Sequence, residues 1–169
     1  MTDRTDTYTF HQTPVEVTEK LVPHVPHTPG DVWAEPFRGE GAFYDLFPDD
    51  VEKVWAEISQ GRDFRDIAYS TVDWVVTNPP FRLETGVPGK RVNAYWKIID
   101  HLTASGVRKG LALLGNDYCL STLTPRRLGI LKGRGWYINK IVVTNVKKWR
   151  GRYFFIILGR EDNGFYYFA

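Results

Sequence analysis

Residues 72–77, Val-Asp-Trp-Val-Val-Thr, make a nearly unbroken apolar run that stops at Asn78-Pro79-Pro80-Phe81. Such a run reads as a strand in the middle of a sheet covered on both faces. It cannot continue past the prolines, because each locks φ and offers no N–H, and Pro79 also restricts the residue before it. The chain is therefore committed to a layered fold in which a buried strand ends in a rigid turn. A turn after a strand would by itself account for Asn-Pro-Pro, so the rest of the sequence has to decide whether it does more.

The neighbouring patterns alternate between strand and helix, which implies an α/β sheet, parallel for most of its width. After a polar arm over residues 1–12, Thr13-Pro14-Val15-Glu16 predicts a helix start, with Thr13 as N-cap, Pro14 in the first turn and Glu16 closing a capping box. That helix should reach about Val22, and Pro23 to Gly30 should be a loop. Asp31–Glu35 predicts a first strand, with a brief helix from Ala42, and Val51–Glu57 predicts a second strand. Asp63-Phe64 follows too soon for a normal crossover helix. Residues 82–91 read as a polar loop, after which Val92, Tyr95, Trp96, Ile99 and Leu102 recur at helical spacing. Gly110–Gly115 is a buried strand, Thr124-Pro125 opens a helix ended by Gly133 or Gly135, and Tyr137–Thr144 with Tyr153–Gly159 form a last, antiparallel pair.

With 169 residues, 43% apolar, the chain has enough apolar content for one domain spanning 1–169. A single Cys119 excludes an internal disulfide or a multi-cysteine zinc site, and His11, His24, His27 and His101 show no metal-ligand spacing. The sequence has no membrane-length apolar stretch and no signal-peptide pattern, so a cytoplasmic protein is expected. Charge is divided unevenly. Residues 1–81 carry 6 Lys and Arg against 15 Asp and Glu, whereas residues 82–160 carry 16 against 3. The basic half has the footprint of a polyanion-binding surface, and Trp136, Trp149 and Tyr153 interleaved with it favour nucleic acid, since aromatic rings stack on unpaired bases. Basic residues that merely coat a solvated face are the competing explanation. The candidate contacts are Arg82, Lys90, Arg91, Lys147, Lys148, Arg150 and Arg152.

The chemistry of the turn explains its residues. An exocyclic amine conjugated with its ring is flat and weakly nucleophilic, so a site that alkylates it must redirect the nitrogen lone pair. The Asn78 side-chain carbonyl and the Pro79 backbone carbonyl each offer an acceptor for one amine hydrogen, Pro79 and Pro80 stiffen the backbone presenting them, and Phe81 offers a stacking face. Ligands of open α/β sheets bind beyond the carboxyl ends of the strands. There stand Glu35 and the loop Pro36-Phe37-Arg38-Gly39-Glu40-Gly41, with Glu57 placed for ribose hydroxyls and Asp63-Phe64 for an adenine ring. The acidic character suits a sulfonium ligand, whereas a phosphate loop would carry Lys or Arg and a longer glycine run.

In these motifs the chain resembles the S-adenosylmethionine-dependent amino-methyltransferases, above all DNA adenine methyltransferases. The matching residues are Thr13-Pro14, Glu35-Pro36-Phe37-Arg38-Gly39-Glu40-Gly41-Ala42-Phe43, Glu57, Asp63-Phe64 and Asn78-Pro79-Pro80-Phe81. The resemblance implies a Rossmann-like methyltransferase fold with reduced helices, its seven-stranded sheet mostly parallel with an antiparallel final strand. It also implies that S-adenosylmethionine is the cofactor, held by Thr13, Pro14, Glu35, Pro36, Phe37, Gly39, Gly41, Ala42, Glu57, Asp63, Phe64 and Asn78. The Asn-Pro-Pro-Phe form favours adenine over cytosine, whose enzymes more often carry Ser-Pro-Pro. RNA, a protein amide, or a silent cofactor-binding role in a complex are the alternatives. Two departures stand out: the segment between Glu57 and Asp63 is too short for the usual helix, and no stretch of residues 1–169 reads as a separate target-recognition domain, so specificity is expected to be short or poor, or to come from a homodimer or a specificity partner.

Overall fold

The computed structural model describes residues 12–84, 91–147 and 149–164. Helix α1 (Val15–Leu21) leads into strand β1 (Val32–Glu35), β2 (Glu52–Trp55) and β3 (Trp74–Thr77), then a small hairpin of β4 (Arg82–Glu84) and β5 (Arg91–Asn93). Helix α2 (Ala94–Ala104), β6 (Gly110–Asn116), α3 (Asp117–Ser121), α4 (Pro125–Gly133), β7 (Tyr137–Thr144) and β8 (Tyr153–Gly159) follow. The main sheet has the order β2-β1-β3-β6-β8-β7. β2, β1, β3 and β6 are parallel, and β8 runs against both its neighbours, β6 and β7.

Both faces of the sheet are covered, as the apolar run before Asn78 requires. Alternate residues of each central strand enter two different cores. Val75, Leu111, Leu113, Phe154, Ile156 and Leu158 meet α2 and α4 through Tyr95, Ile98, Ile99, Leu102, Leu128 and Leu131. Trp74, Val76, Ala112, Leu114, Phe155 and Ile157 face α1 with Phe43 and Phe47. Each fully buried large side chain is worth about 1.5–3 kcal/mol, so these two layers dominate the stability. At the amino ends of the strands, Asp73 Oδ2 accepts from the Val32 N–H at 2.9 Å and from Arg108 Nη2 at 3.0 Å, and Lys109 pairs with Asp31. These pairs join the acidic first half to the basic second half. Close packing between β3 and β6 requires glycine at position 110, where a Cβ would lie 2.0 Å from the Trp74 ring.

Several expectations are corrected. The main sheet has six strands among the described residues, not seven. Residues 56–73 between β2 and β3 fold as three short 3-10 turns, Ile58–Gln60, Phe64–Asp66 and Tyr69–Thr71, leaving no room for a further strand with its own crossover. The second strand is shorter than expected, ending at Trp55. Thr13 does not cap α1: Pro14 occupies the N-cap position and no side chain caps it. The segment after Phe81 is a hairpin rather than a plain loop, and Val92 belongs to β5 rather than to the helix, which Asn93 caps by accepting from the Trp96 N–H at 3.2 Å. The proposed arm, residues 1–12, lies outside the described residues except for Gln12.

Candidate functional site

After β1 the chain moves to β2 on one side and then to β3 on the other. Side-by-side strands with divergent connections open a crevice at their carboxyl ends, which in this sheet is the place where β1 ends at Glu35 and β3 leads into Asn78. The β3 strand delivers Thr77 and Asn78 there, and the prolines stop the ladder from continuing. Asn78 is half-buried, and its Nδ2 donates to the Thr13 hydroxyl at 3.1 Å. Thr13, itself 5% exposed, thus orients the amide instead of capping a helix. With the NH2 group so held, Oδ1 is the free end, and this buried oxygen has no hydrogen-bond partner. An orphaned buried acceptor is costly unless something else satisfies it, and an amine N–H is a donor of the right kind. The Phe81 carbonyl is already taken by the Ala94 N–H at 3.1 Å, and the Phe81 ring packs edge-on against Tyr95 at 6.1 Å. The ring is partly buried against the core, leaving less of it for stacking than the sequence implied.

On the β1 side, Pro36 is buried and Glu35 is 2% exposed, accepting from the Tyr44 N–H at 2.7 Å. Burial pushes its carboxyl up to about 9, against the pull of that hydrogen bond and of Arg38, so it is protonated at neutral pH. Gly39 and Gly41 both adopt positive φ, and at Gly41 (φ +94°) a Cβ would meet the Asp45 carboxylate at 3.0 Å. Gly39 N–H donates to Glu57 Oε2 at 2.8 Å, while Ser59 donates to Oε1 through its N–H at 3.1 Å and its hydroxyl at 2.8 Å. Burial works to raise the Glu57 carboxyl, but these hydrogen bonds and Arg38 outweigh it and hold it below the ordinary value. A carboxylate has about four acceptor positions; three are used, leaving Glu57 room for one hydroxyl rather than two unless Ser59 turns away.

Asp63 caps the turn that follows it and is gripped by the Arg65 side chain and N–H, which hold its carboxyl down to about 2. Phe64 lies 4.9 Å from Phe37 and 5.3 Å from His101, so the two candidate aromatic residues do meet, and they share a cluster with α2. Ala42 is half-buried in the same loop. Arg38 and His101 were not singled out as site residues. Arg38 lies 4.9 Å from the Tyr44 ring and 5.0 Å from the Trp55 ring, with its Nε buried and unpartnered; His101 Nε2 is likewise orphaned. Arg38 lies within the Pro36–Gly41 loop and so is legible in the sequence, whereas nothing local marks His101. Cys119 is buried, which pushes its thiol up to about 12 and leaves it no nucleophile.

The basic surface is more mixed than its sequence. Lys147 and Arg150 are exposed, but Arg152 pairs with Asp117 at 3.2 Å. Lys90 and Lys148 lie outside the described residues; Arg82 and Arg91 stand in the hairpin that follows the Asn78–Phe81 turn. Trp136 is fully buried with its indole N–H on the Thr103 carbonyl, and Tyr153 is 8% exposed beneath Trp149. Trp136 and Tyr153 are core residues, not stacking platforms. No helix among the described residues is long and apolar enough to cross a membrane.

No protein-family model and no curated protein matches the sequence. Solved structures do match. A chain of the E. cuniculi Mtq2–Trm112 complex, responsible for methylating the translation termination factor eRF1, superposes with a TM-score of 0.63 at 18% identity, over 89% of this chain and 98% of that one. A chain from Vibrio vulnificus, assigned as the modification subunit of a type I restriction enzyme, gives 0.61 at 14% identity over 88% of this chain. One from Listeria monocytogenes, assigned as a class I S-adenosylmethionine-dependent methyltransferase, gives 0.57 at 14% over 88%. The present chain spans 44% and 58% of the latter two. The fold is thus that of methyltransferases, with six strands in its main sheet among the described residues.

Proposed function

We propose that this protein is a DNA adenine methyltransferase using S-adenosylmethionine, and that Asn78 holds the exocyclic amine. The observation that carries this reading is the buried, partnerless Asn78 Oδ1, aimed from the end of β3 while its amide is held by Thr13. S-adenosylmethionine would supply a methyl group on a sulfonium. Glu35, Gly39, Gly41, Glu57, Asp63 and Phe64, on the segments that follow β1 and β2, would hold it, and the unpartnered Arg38 Nε and His101 Nε2 leave polar capacity. Asn78 Oδ1 and the Pro79 carbonyl each accept one amine hydrogen, turning the nitrogen lone pair out of the ring plane. Phe81 limits the slide of the ring, and the leftover proton is lost to solvent without a dedicated base, which fits a turn lacking His or Cys.

A second reading moves the same acceptor to a protein side-chain amide, also a flat, weakly nucleophilic nitrogen. It is favoured by the match over 98% of a chain whose complex methylates a termination factor. The discriminating experiment offers labelled donor with DNA, structured RNA and a termination factor in competition, using the wild type and Asn78→Ala. Label on adenine that disappears in the variant supports the proposal. Label on protein alone, or turnover indifferent to Asn78, refutes it.

A further inference from the structure

Beside the catalytic turn, a cleft of about 340 Å³ opens between the first turns of α2 and α4, lined by Trp96, Thr124, Arg126, Arg127 and Ile130. That volume falls at the lower end of small-ligand clefts. Its position follows from the fold: the Ala94 N–H bonds the Phe81 carbonyl, and Trp96 is two residues further on, while α4 starts from the same carboxyl-end edge of the sheet after β6.

The charge state of this cleft differs from that of several other basic residues. Arg108, Arg134 and Arg152 are matched by Asp73, Asp100 and Asp117. Among the described residues, no acid lines the cleft. Arg127 Nη1 donates to the Thr122 carbonyl at 2.8 Å, which locks its guanidinium 5.0 Å from the centre of the Trp96 ring. Arg126 is exposed and has no acidic partner among the described residues. A fixed guanidinium–indole pair presents flat surface, Ile130 adds an apolar wall, and Arg126 adds uncompensated charge.

We propose that this cleft takes a nucleotide of an unpaired strand next to the target base, with Arg126 on its phosphate and its base against the Arg127–Trp96 pair. The inference deepens the DNA reading above and rests on it. An acidic peptide would satisfy Arg126 but has no flat group for the guanidinium–indole surface, whereas an unpaired nucleotide supplies both features at one repeat.

The test measures binding of a labelled single-stranded oligonucleotide at several salt concentrations for the wild type, Arg126→Glu and Trp96→Phe, with donor binding as the control for folding and Lys147→Ala/Arg150→Ala as a comparator. Arg126→Glu should weaken oligonucleotide binding by about tenfold or more and lower the salt slope by about one, with donor affinity unchanged. In turnover it should raise the KM for DNA and leave kcat in place. Trp96→Phe should weaken binding without changing the slope. The inference is overturned if both variants bind as the wild type does, if the wild type binds no oligonucleotide, or if Arg126→Glu impairs binding of a poly-glutamate peptide but not of DNA. If the oligonucleotide responses appear yet no nucleic acid is methylated, the cleft stands and the catalytic reading falls.

Discussion

Glu35→Gln tests the electrostatics of the crevice directly. The wild-type carboxyl is 2% exposed at the end of β1, and burial raises it to about 9. An unfolded glutamate titrates near its ordinary value, so between about pH 4.5 and 9 the folded state holds a proton that the unfolded state has lost. The native form is then favoured by low pH, and its stability must decline as pH rises through that window, by up to about 1.4 kcal/mol per pH unit. Gln keeps the acceptor for the Tyr44 N–H and removes the titration. Urea denaturation of both proteins at pH 5, 6, 7, 8 and 9 gives a difference curve in which all other ionisations cancel. Between pH 6 and pH 8 the wild type should lose up to about 3 kcal/mol relative to the variant, so that Glu35→Gln is the more stable protein at alkaline pH. A flat difference curve would falsify the buried, protonated state. A curve of opposite slope would mean that Glu35 is ionised in the native crevice and held by a cation, with Arg38 the nearest candidate.

Two further substitutions probe the site and its frame. Thr13→Val removes the acceptor of Asn78 Nδ2 while nearly conserving shape; it should cost about 1 kcal/mol of stability and lower kcat by about tenfold to a hundredfold as the amide loses its orientation, with donor affinity little changed. Unaltered turnover would show that the prolines alone position Asn78. Gly110→Ala places a methyl group 2.0 Å from the Trp74 ring in the tightest part of the β3–β6 contact. It should destabilise by about 1–3 kcal/mol or more, read as a lowered Tm, and a wild-type Tm would contradict the packing described.

The amino-acid sequence by itself determined what depends on short stretches of chain. The apolar run ending at Asn78, the helix through Tyr95 and Ile99, and the final strand pair all appear within a residue or two of their expected places, because periodicity and proline geometry act locally. Tertiary structure decided whatever depends on distant partners. Thr13 reads as a cap, yet its hydroxyl serves an amide 65 positions away. Trp136 and Tyr153 look like ligand-facing aromatics in a basic stretch, but the sheet carries them into the core. The acids Glu35, Glu57 and Asp63 look alike in the chain, and only their surroundings make one protonated and two ionised. The physical reason is the same in each case: hydrogen bonds, ion pairs and desolvation depend on what folding brings within a few ångströms, which local residue patterns do not encode.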